Sequence, residues 1–497
     1  MKNVALSLVL FAFAVAAAAQ QPLTEKVDVN LVNVDVTVTS HGTPAHGLTA
    51  DDFEVSEDGA PQTITNFFAV ENTPASAAAV PAPPTDDRFR RKVLVIVDYV
   101  HSSKVLRNMA LQRLEQFIDD RFTGGQYEWS IAVAGQDMKI IVPLTSDKTQ
   151  IHDAIAAMRT GAMWEPAPSA ARVNLDIRMP FLDPAEVGDD AVYTSFSLRA
   201  LRNGTRAFSA LEGKKIILFL SEGLGSLFED GSSKVLVNMN STGPGRASVA
   251  HQLITLRDEL VQEANAANLN FYVLDLAGVT QTGTKAGMYW LSRLTGGAFL
   301  PGNSTTASLQ KFDDLSSNFY SLAYRPPHPD DGKYHRITVR LKKPGSYSLQ
   351  YREGYGAVPF DVRLERTLAS PASAMLAVQT STIPLSVTTG SPSSVRGKTL
   401  VPLSVSVPLR SLQFIPGFHG SNAQVDFYVS VFEDGRNVGV QHFTTKAHAQ
   451  ANSPTSEGEL THSATLRLRS GRQHTVVVAI HDQVSDAVAY SSREITF

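Results

Sequence analysis

The sequence predicts a multidomain chain whose centre is an α/β, doubly wound, mainly parallel sheet, flanked by a small β module and a C-terminal β-sandwich. Three patterns carry this expectation. Apolar, β-branched runs at Lys92–Val97, Lys215–Leu220 and Leu269–Leu276 show no polar alternation, as strands buried on both faces require. Segments of helical period lie between them, and strands alternating with helices give parallel sheets covered on both faces. Period-two alternation, the mark of a half-buried strand, occupies residues 27–39 and returns beyond Tyr320.

Composition agrees. A length of 497 residues suggests about three domains at roughly 150 residues each. Apolar residues make up 43% and charged residues 19%, a globular balance that excludes whole-chain disorder and a fibrous chain. The net charge of −4 comes from 44 basic and 48 acidic side chains spread along the chain. It gives no electrostatic reason to expect nucleic acid or an anionic membrane as partner. With no cysteine, disulfides, thiolate zinc sites, iron–sulfur clusters and cysteine nucleophiles are excluded. Each domain must rest on its own apolar core.

In chain order, Met1-Lys2-Asn3 precedes an alanine-rich apolar run from Val4 to Ala19, and Ala17-x-Ala19 stands before Gln20. This reads as a signal peptide over residues 1–19, cleaved near Gln20, and so as export to the periplasm or the exterior. The run is shorter than the roughly 20 residues needed to span a bilayer, and without a cysteine at the cleavage site there is no lipid anchor. The mature protein is expected to carry no integral membrane segment.

Residues 20–72 read as the N-terminal β module. Its strands are 27–39, Leu48–Val55 and a segment running to Val70, with a turn at Glu57-Asp58-Gly59. A Pro-, Ala- and Ser-rich linker covers 73–90. The α/β domain over 91–319 begins with the strand at Lys92–Val97. Its first helix is expected to bury Val105, Leu106, Met109, Ala110, Leu114, Phe117, Ile118 and Phe122. Strands near 127–134 and 139–144 follow, then a helix near 147–158 and a Pro- and Ala-rich surface loop over 160–188. Further helices are expected near 193–211, 248–267 and 284–295, the last ending at Gly296-Gly297. Residues 320–358 read as strands that complete the N-terminal module, because both segments are strand-rich and domain termini usually lie close together. Residues 359–497 carry short strands at 400–407, 424–432, 438–444, 460–468 and 474–481, the spacing of a sandwich.

Several sequence words occur together in a telling order. They are Val32-Asn33-Val34-Asp35-Val36, Gly47-Leu48-Thr49-Ala50-Asp51-Asp52-Phe53-Glu54-Val55, Glu57-Asp58-Gly59, Asp98-x-x-His101-x-Ser103 and Leu211-x-Gly213-Lys214-Lys215. Leu220-Ser221-Glu222-Gly223, Thr295-Gly296-Gly297, Tyr320-x-Leu322-x-Tyr324-x-Pro326, Asp331-Gly332-Lys333-Tyr334 and Arg352-x-Gly354-Tyr355 follow. Over residues 27–355 this series resembles the von Willebrand factor A (VWFA)-related domain first described in Acidobacteria. The resemblance implies an open, doubly wound sheet with ligands at the carboxyl ends of its strands. In metal-bearing relatives the first strand ends in Asp-x-Ser-x-Ser, a Thr comes from a second loop and an Asp follows the fourth strand. Together they hold a hard cation such as Mg²⁺, completed by a partner's carboxylate.

Here Asp98 and Ser102 match that pattern, Val100 replaces the first Ser, and Glu222 stands in place of the Asp. Thr194 is the best match for the loop Thr. One reading is a degraded metal-ion-dependent adhesion site in which Asp98, Ser102 and Glu222 hold Mg²⁺ or another divalent cation. A second has Asp98 and Glu222 capping neighbouring helices and bonding loop amides. A third recruits a different metal through His101. The resemblance favours an exported, non-enzymatic, adhesion-type protein that docks an unidentified protein partner through Asp98, His101, Ser102, Ser103, Glu222 and Gly223. Its alternatives are an envelope structural or assembly component, and a secreted hydrolase using Asp98 and Glu222 as an acid–base pair.

Other chemistry is not supported. Gly397-Lys398-Thr399 lacks the earlier glycine of a phosphate loop, since Pro392 stands there, and no His-Glu-x-x-His or Gly-x-Ser-x-Gly occurs. The 13 histidines read as scattered surface or turn residues. Asp330-Asp331-Gly332 and Glu229-Asp230-Gly231 read as solvated turns. Tyr320, Tyr324, Tyr334, Tyr347, Tyr351 and Tyr355 read as half-buried rings on sheet faces.

Overall fold

The computed structural model describes residues 31–71, 90–121, 127–135, 138–161, 189–211, 213–224, 244–278, 285–373, 383–395, 398–417, 420–449 and 458–495. The expected signal peptide, nearly all of the linker and the loop over 162–188 lie outside them.

The central sheet has six strands: β1 (Arg91–Asp98), β2 (Tyr127–Ala134), β3 (Met138–Thr145), β4 (Lys214–Ser221), β5 (Leu269–Asp275) and β6 (Phe299–Leu300). Their order is β6-β5-β4-β1-β2-β3. All pairings are parallel except that of β3, which runs antiparallel to β2. The helices are α1 (Lys104–Arg121), α2 (Lys148–Thr160), α3 (Asp189–Ser209), α4 (Pro244–Ala266), α5 (Lys285–Leu294) and α6 (Thr305–Ser317).

Every residue of β1 and of β5 is buried, which explains why their sequences show no alternation. One face of the sheet packs Leu94, Ile96, Phe219 and Phe271 against Phe196 and Leu201 of α3, Leu260 of α4 and Met288 of α5. The other packs Val93, Val95, Leu218 and Tyr272 against Leu114 of α1, Ile155 of α2 and Phe312 of α6. The edge strand β3 is buried only at alternate positions.

Two expectations change. The buried stripe of α1 is Ala110, Leu111, Leu114, Phe117 and Ile118, whereas Val105 and Met109 are 69% and 58% exposed. Arg107 sets this rotation. It shares the inward face with 110, 111 and 114 at helical spacing, and its guanidinium lies 3.6 Å over the Tyr99 ring. That places 105 and 109 on the outer side. Helices also occur where none is predicted, at α6 and at α7 (Phe360–Leu368). Their buried apolar positions are few: Leu309, Phe312 and Leu315 in α6, and Leu364 and Leu368 in α7.

The strand Val32–Ser40 pairs antiparallel with Phe319–Tyr324, with Val34 opposite Leu322. The strand Phe53–Glu57 pairs with Tyr334–Leu341, with Val55 opposite Val339. These strands share one core, in which Tyr320 and Tyr324 are fully buried and not half-exposed. Buried Lys214 at the start of β4 bonds Asp35 at 2.7 Å, and buried Arg352 donates to the Asn33 carbonyl at 2.5 Å and to the Asn265 carbonyl. The flanking strands are thus fixed to the parallel sheet.

Beyond α7, Lys398–Pro408 pairs along its length with Glu459–Arg469. Gly420–Glu433 pairs with Arg436–Ala449 and with His474–Asp482. These two antiparallel sheets face each other across a core that includes Leu403, Val405, Phe427, Val429 and Val478. Leu364 and Leu368 of α7 cover the outer face of the second sheet at Tyr428, Val477 and Ala479. Among the described residues, no helix is long and apolar enough to cross a membrane.

Candidate functional site

The strand order reverses between β1 and β4. The chain leaves β1 toward β2 and β3, and leaves β4 toward β5 and β6. Diverging connections open a crevice at the carboxyl ends of these two strands, where open α/β sheets bind ligands. Asp98 is the last residue of β1, and Val97 lies opposite Leu220 in β4. The words beginning at Asp98 and at Ser221 therefore meet.

Asp98 is completely buried. Its Oδ1 accepts the backbone N–H groups of Val100 (2.8 Å) and His101 (3.1 Å). Its Oδ2 accepts the Ser221 hydroxyl at 2.7 Å and lies 3.2 Å from His101 Nδ1. The Ser197 hydroxyl, on α3, lies 3.4 Å from both carboxylate oxygens and 3.1 Å from His101 Nδ1. Burial is the largest influence on the Asp98 carboxyl and pushes its pKa up. The charge and hydrogen bond of His101 and the bonds from Ser221 and the His101 amide outweigh it and hold the group below the usual carboxylate range.

Glu222 serves the second strand end. Its Oε1 accepts both the backbone N–H and the hydroxyl of Ser103, each at 2.6 Å. Ser103 immediately precedes α1, so the carboxylate sits at the positive end of that helix. The Glu222 amide in turn donates to Ser102 Oγ at 3.2 Å, and the Gly223 amide donates to Ser221 Oγ at 3.1 Å. Arg107 ties down the loop from below, donating to the Ser102 carbonyl at 3.1 Å.

The structure thus brings Asp98, His101, Ser102, Ser103, Glu222 and Gly223 together. Thr194 is placed differently. It lies inside α3 and bonds the Leu224 carbonyl at 3.4 Å, while Ser197, one turn further on, reaches Asp98. Ser197, Ser221 and Arg107 belong to the cluster without having been expected. Only Ser221 carried a local signal, since it lies in the strand-end word Leu220-Ser221-Glu222-Gly223.

The donor set can be tested against a hard cation. Mg²⁺ asks for near-ideal octahedral oxygen geometry. Val100 supplies no side-chain oxygen, and both Asp98 oxygens, Ser102 Oγ and Glu222 Oε1 accept protein donors. The His101 imidazole lies against Asp98. As arranged, these residues do not fit Mg²⁺, and they hydrogen-bond to one another and to loop amides.

No protein-family model matches the sequence, and no curated protein does. Among solved structures, the chain is similar to an aerotolerance-related membrane protein from Bacteroides fragilis, at 10% identity over 45% of this chain and 98% of that one, with a TM-score of 0.26. It is similar to a von Willebrand factor type A protein from Catenulispora acidiphila, at 9% identity over 82% and 66% of the two chains, TM-score 0.26. It is also similar to a pilus adhesin from Lactobacillus rhamnosus GG, at 9% identity over 93% and 58%, TM-score 0.28. Scores this low carry no weight for fold or function. The strand order and the side-chain geometry do.

Proposed function

We propose that the chain is an exported, adhesion-type protein of the VWFA-related kind first described in Acidobacteria. It docks a protein partner at the top of its parallel sheet, around Asp98–Ser103 and Glu222–Gly223, without a resident cation at Asp98. The observation that carries this reading is the state of the switch-point crevice. Its metal-site residues are retained in part, but His101 and the Ser103 donors occupy the carboxylates. A loop surface held by its own hydrogen bonds suits recognition. Acid–base chemistry needs carboxylates presented to a substrate, and Asp98 is sealed from solvent.

Beside this loop, the outer side of the first turns of α1 exposes Val105 and Met109, one helical turn apart. Two exposed apolar side chains next to a fixed polar loop make a small contact surface of the kind partners cover. The test is site-specific photocrosslinking in cells, with a photoreactive residue at Met109 and, as control, at Val438, which is 59% exposed in the C-terminal region. A discrete adduct from position 109 and none from 438 supports the reading. No adduct from 109, or equal adducts from both, overturns it.

A further inference from the structure

Two histidines expected to be ordinary turn residues are brought face to face. The rings of His328 and His335 stack with centroids 3.6 Å apart and planes 17° from parallel. Both lie against Glu57, the buried end of the strand Phe53–Glu57, and one ligand atom from each of the three residues lies within 4.8 Å of the others.

The hydrogen bonding around these rings is over-supplied with acceptors. His328 places Nδ1 2.7 Å from the Pro329 carbonyl and Nε2 2.9 Å from Glu57 Oε1. His335 places Nδ1 2.8 Å from Asp58 Oδ2 and Nε2 3.1 Å from Asp331 Oδ1. All four partners are acceptors when the carboxyls are ionised. A neutral imidazole has one N–H, so each ring would aim one lone pair at an oxygen lone pair. Protonating both rings relieves that clash only by stacking two cations at 3.6 Å. A single divalent ion among Nε2 groups and carboxylates removes both conflicts.

The Nδ1 partners fit the same answer. Histidines that bind metals through one nitrogen usually donate the other N–H to a carbonyl or carboxylate, which fixes the ring. Pro329 and Asp58 are placed to do this. Glu57 is fixed as well, since its Oε2 accepts the hydroxyls of Tyr324 (2.5 Å) and Tyr355 (3.0 Å).

We propose that Glu57, His328 and His335, with Asp331 beside them, form a binding site for a divalent transition-metal ion of the zinc class. Two imidazoles with carboxylates are a nitrogen–oxygen set suited to Zn²⁺ and need no thiolate. The His328 side chain is 19% exposed, and its Nε2 already points at Glu57 Oε1. Because Glu57 and His328 are 271 positions apart, the ion acts as a staple between the two halves of the flanking β module in a chain without disulfides. This site is separate from the Asp98 crevice, and neither proposal depends on the other.

The test uses the purified full chain, freed of affinity tag and stripped with chelator. Zn²⁺ binding is followed by calorimetry and Co²⁺ binding by visible absorption. The expected result is one Zn²⁺ per chain, Co²⁺ bands of nitrogen–oxygen ligation and a rise in Tm with metal. His328→Ala and Glu57→Gln should each weaken binding about tenfold or more, and Asp98→Ala should leave it unchanged. Because His328 lies near the surface, His328→Ala retains the fold, as circular dichroism would verify. Absence of saturable Zn²⁺ binding by the wild-type chain overturns the proposal. So does binding that persists undiminished in His328→Ala and Glu57→Gln.

Discussion

The imidazole of His101 lies 3.2 Å from the carboxylate of Asp98, at the carboxyl end of the first parallel strand. In this position the ring is a close polar partner of a fully buried carboxylate, beside amide and hydroxyl donors. The pair should therefore be coupled energetically. In a double-mutant cycle of Asp98→Asn and His101→Ala, read by denaturant unfolding, the coupling energy is expected to be about 1–3 kcal/mol. Strictly additive effects would show that the contact contributes nothing to stability.

The second buried pair predicts an acid limit. Burial is the strongest influence on the Asp35 carboxyl and raises its pKa, but the charge and hydrogen bond of Lys214, with a bond from Ser321, hold it below its ordinary value of 3.8. A group whose folded pKa is depressed contributes fully above its unfolded pKa, and the contribution is lost as pH falls through the folded value. Asp35→Asn, which leaves Lys214 buried without its counter-charge, should cost about 3–5 kcal/mol near neutral pH. The gap from wild type should hold down to about pH 4 and close at lower pH. Unfolding curves of both proteins from pH 7 to pH 2 check this, and a gap independent of pH would refute it.

Gly297, the second residue of the Gly296-Gly297 pair, approaches β5 closely. A Cβ there would stand 1.9 Å from the Phe271 carbonyl oxygen, which no rotamer change can relieve because the obstacle is backbone. Gly297→Ala is expected to destabilise the chain by about 3 kcal/mol or to abolish soluble expression. Gly435→Ala is a different case, because its Cβ meets nothing within 4 Å but its φ is +77°. Its cost should be smaller, about 1 kcal/mol, from backbone strain alone. Thermal melts of the two variants decide the order.

The parts of this fold that were legible in the sequence are those whose environment is local. Lys215–Leu220 and Leu269–Leu276 could be read as strands because burial on both faces strips out polar alternation. Asp98 and Glu222 were legible as candidates because the family resemblance places its metal-site motif just after two such runs. The rotation of α1 was not legible, since it depends on Arg107 finding the Tyr99 ring. A count of apolar residues cannot anticipate a buried guanidinium. Ser197 joins Asp98 across 99 positions, and Glu57 joins His328 across 271. Contacts at such separations exist only once the sheets have assembled, so single-sequence periodicity carries no trace of them.

Calorimetric titration of the purified chain with Mg²⁺, beside the Asp98→Ala variant as control, decides whether the crevice holds a cation. A docking loop held by its own hydrogen bonds predicts no saturable Mg²⁺ binding, and identical traces for the two proteins. Saturable one-to-one binding that disappears in Asp98→Ala would contradict it, because the crevice would then be a working cation site.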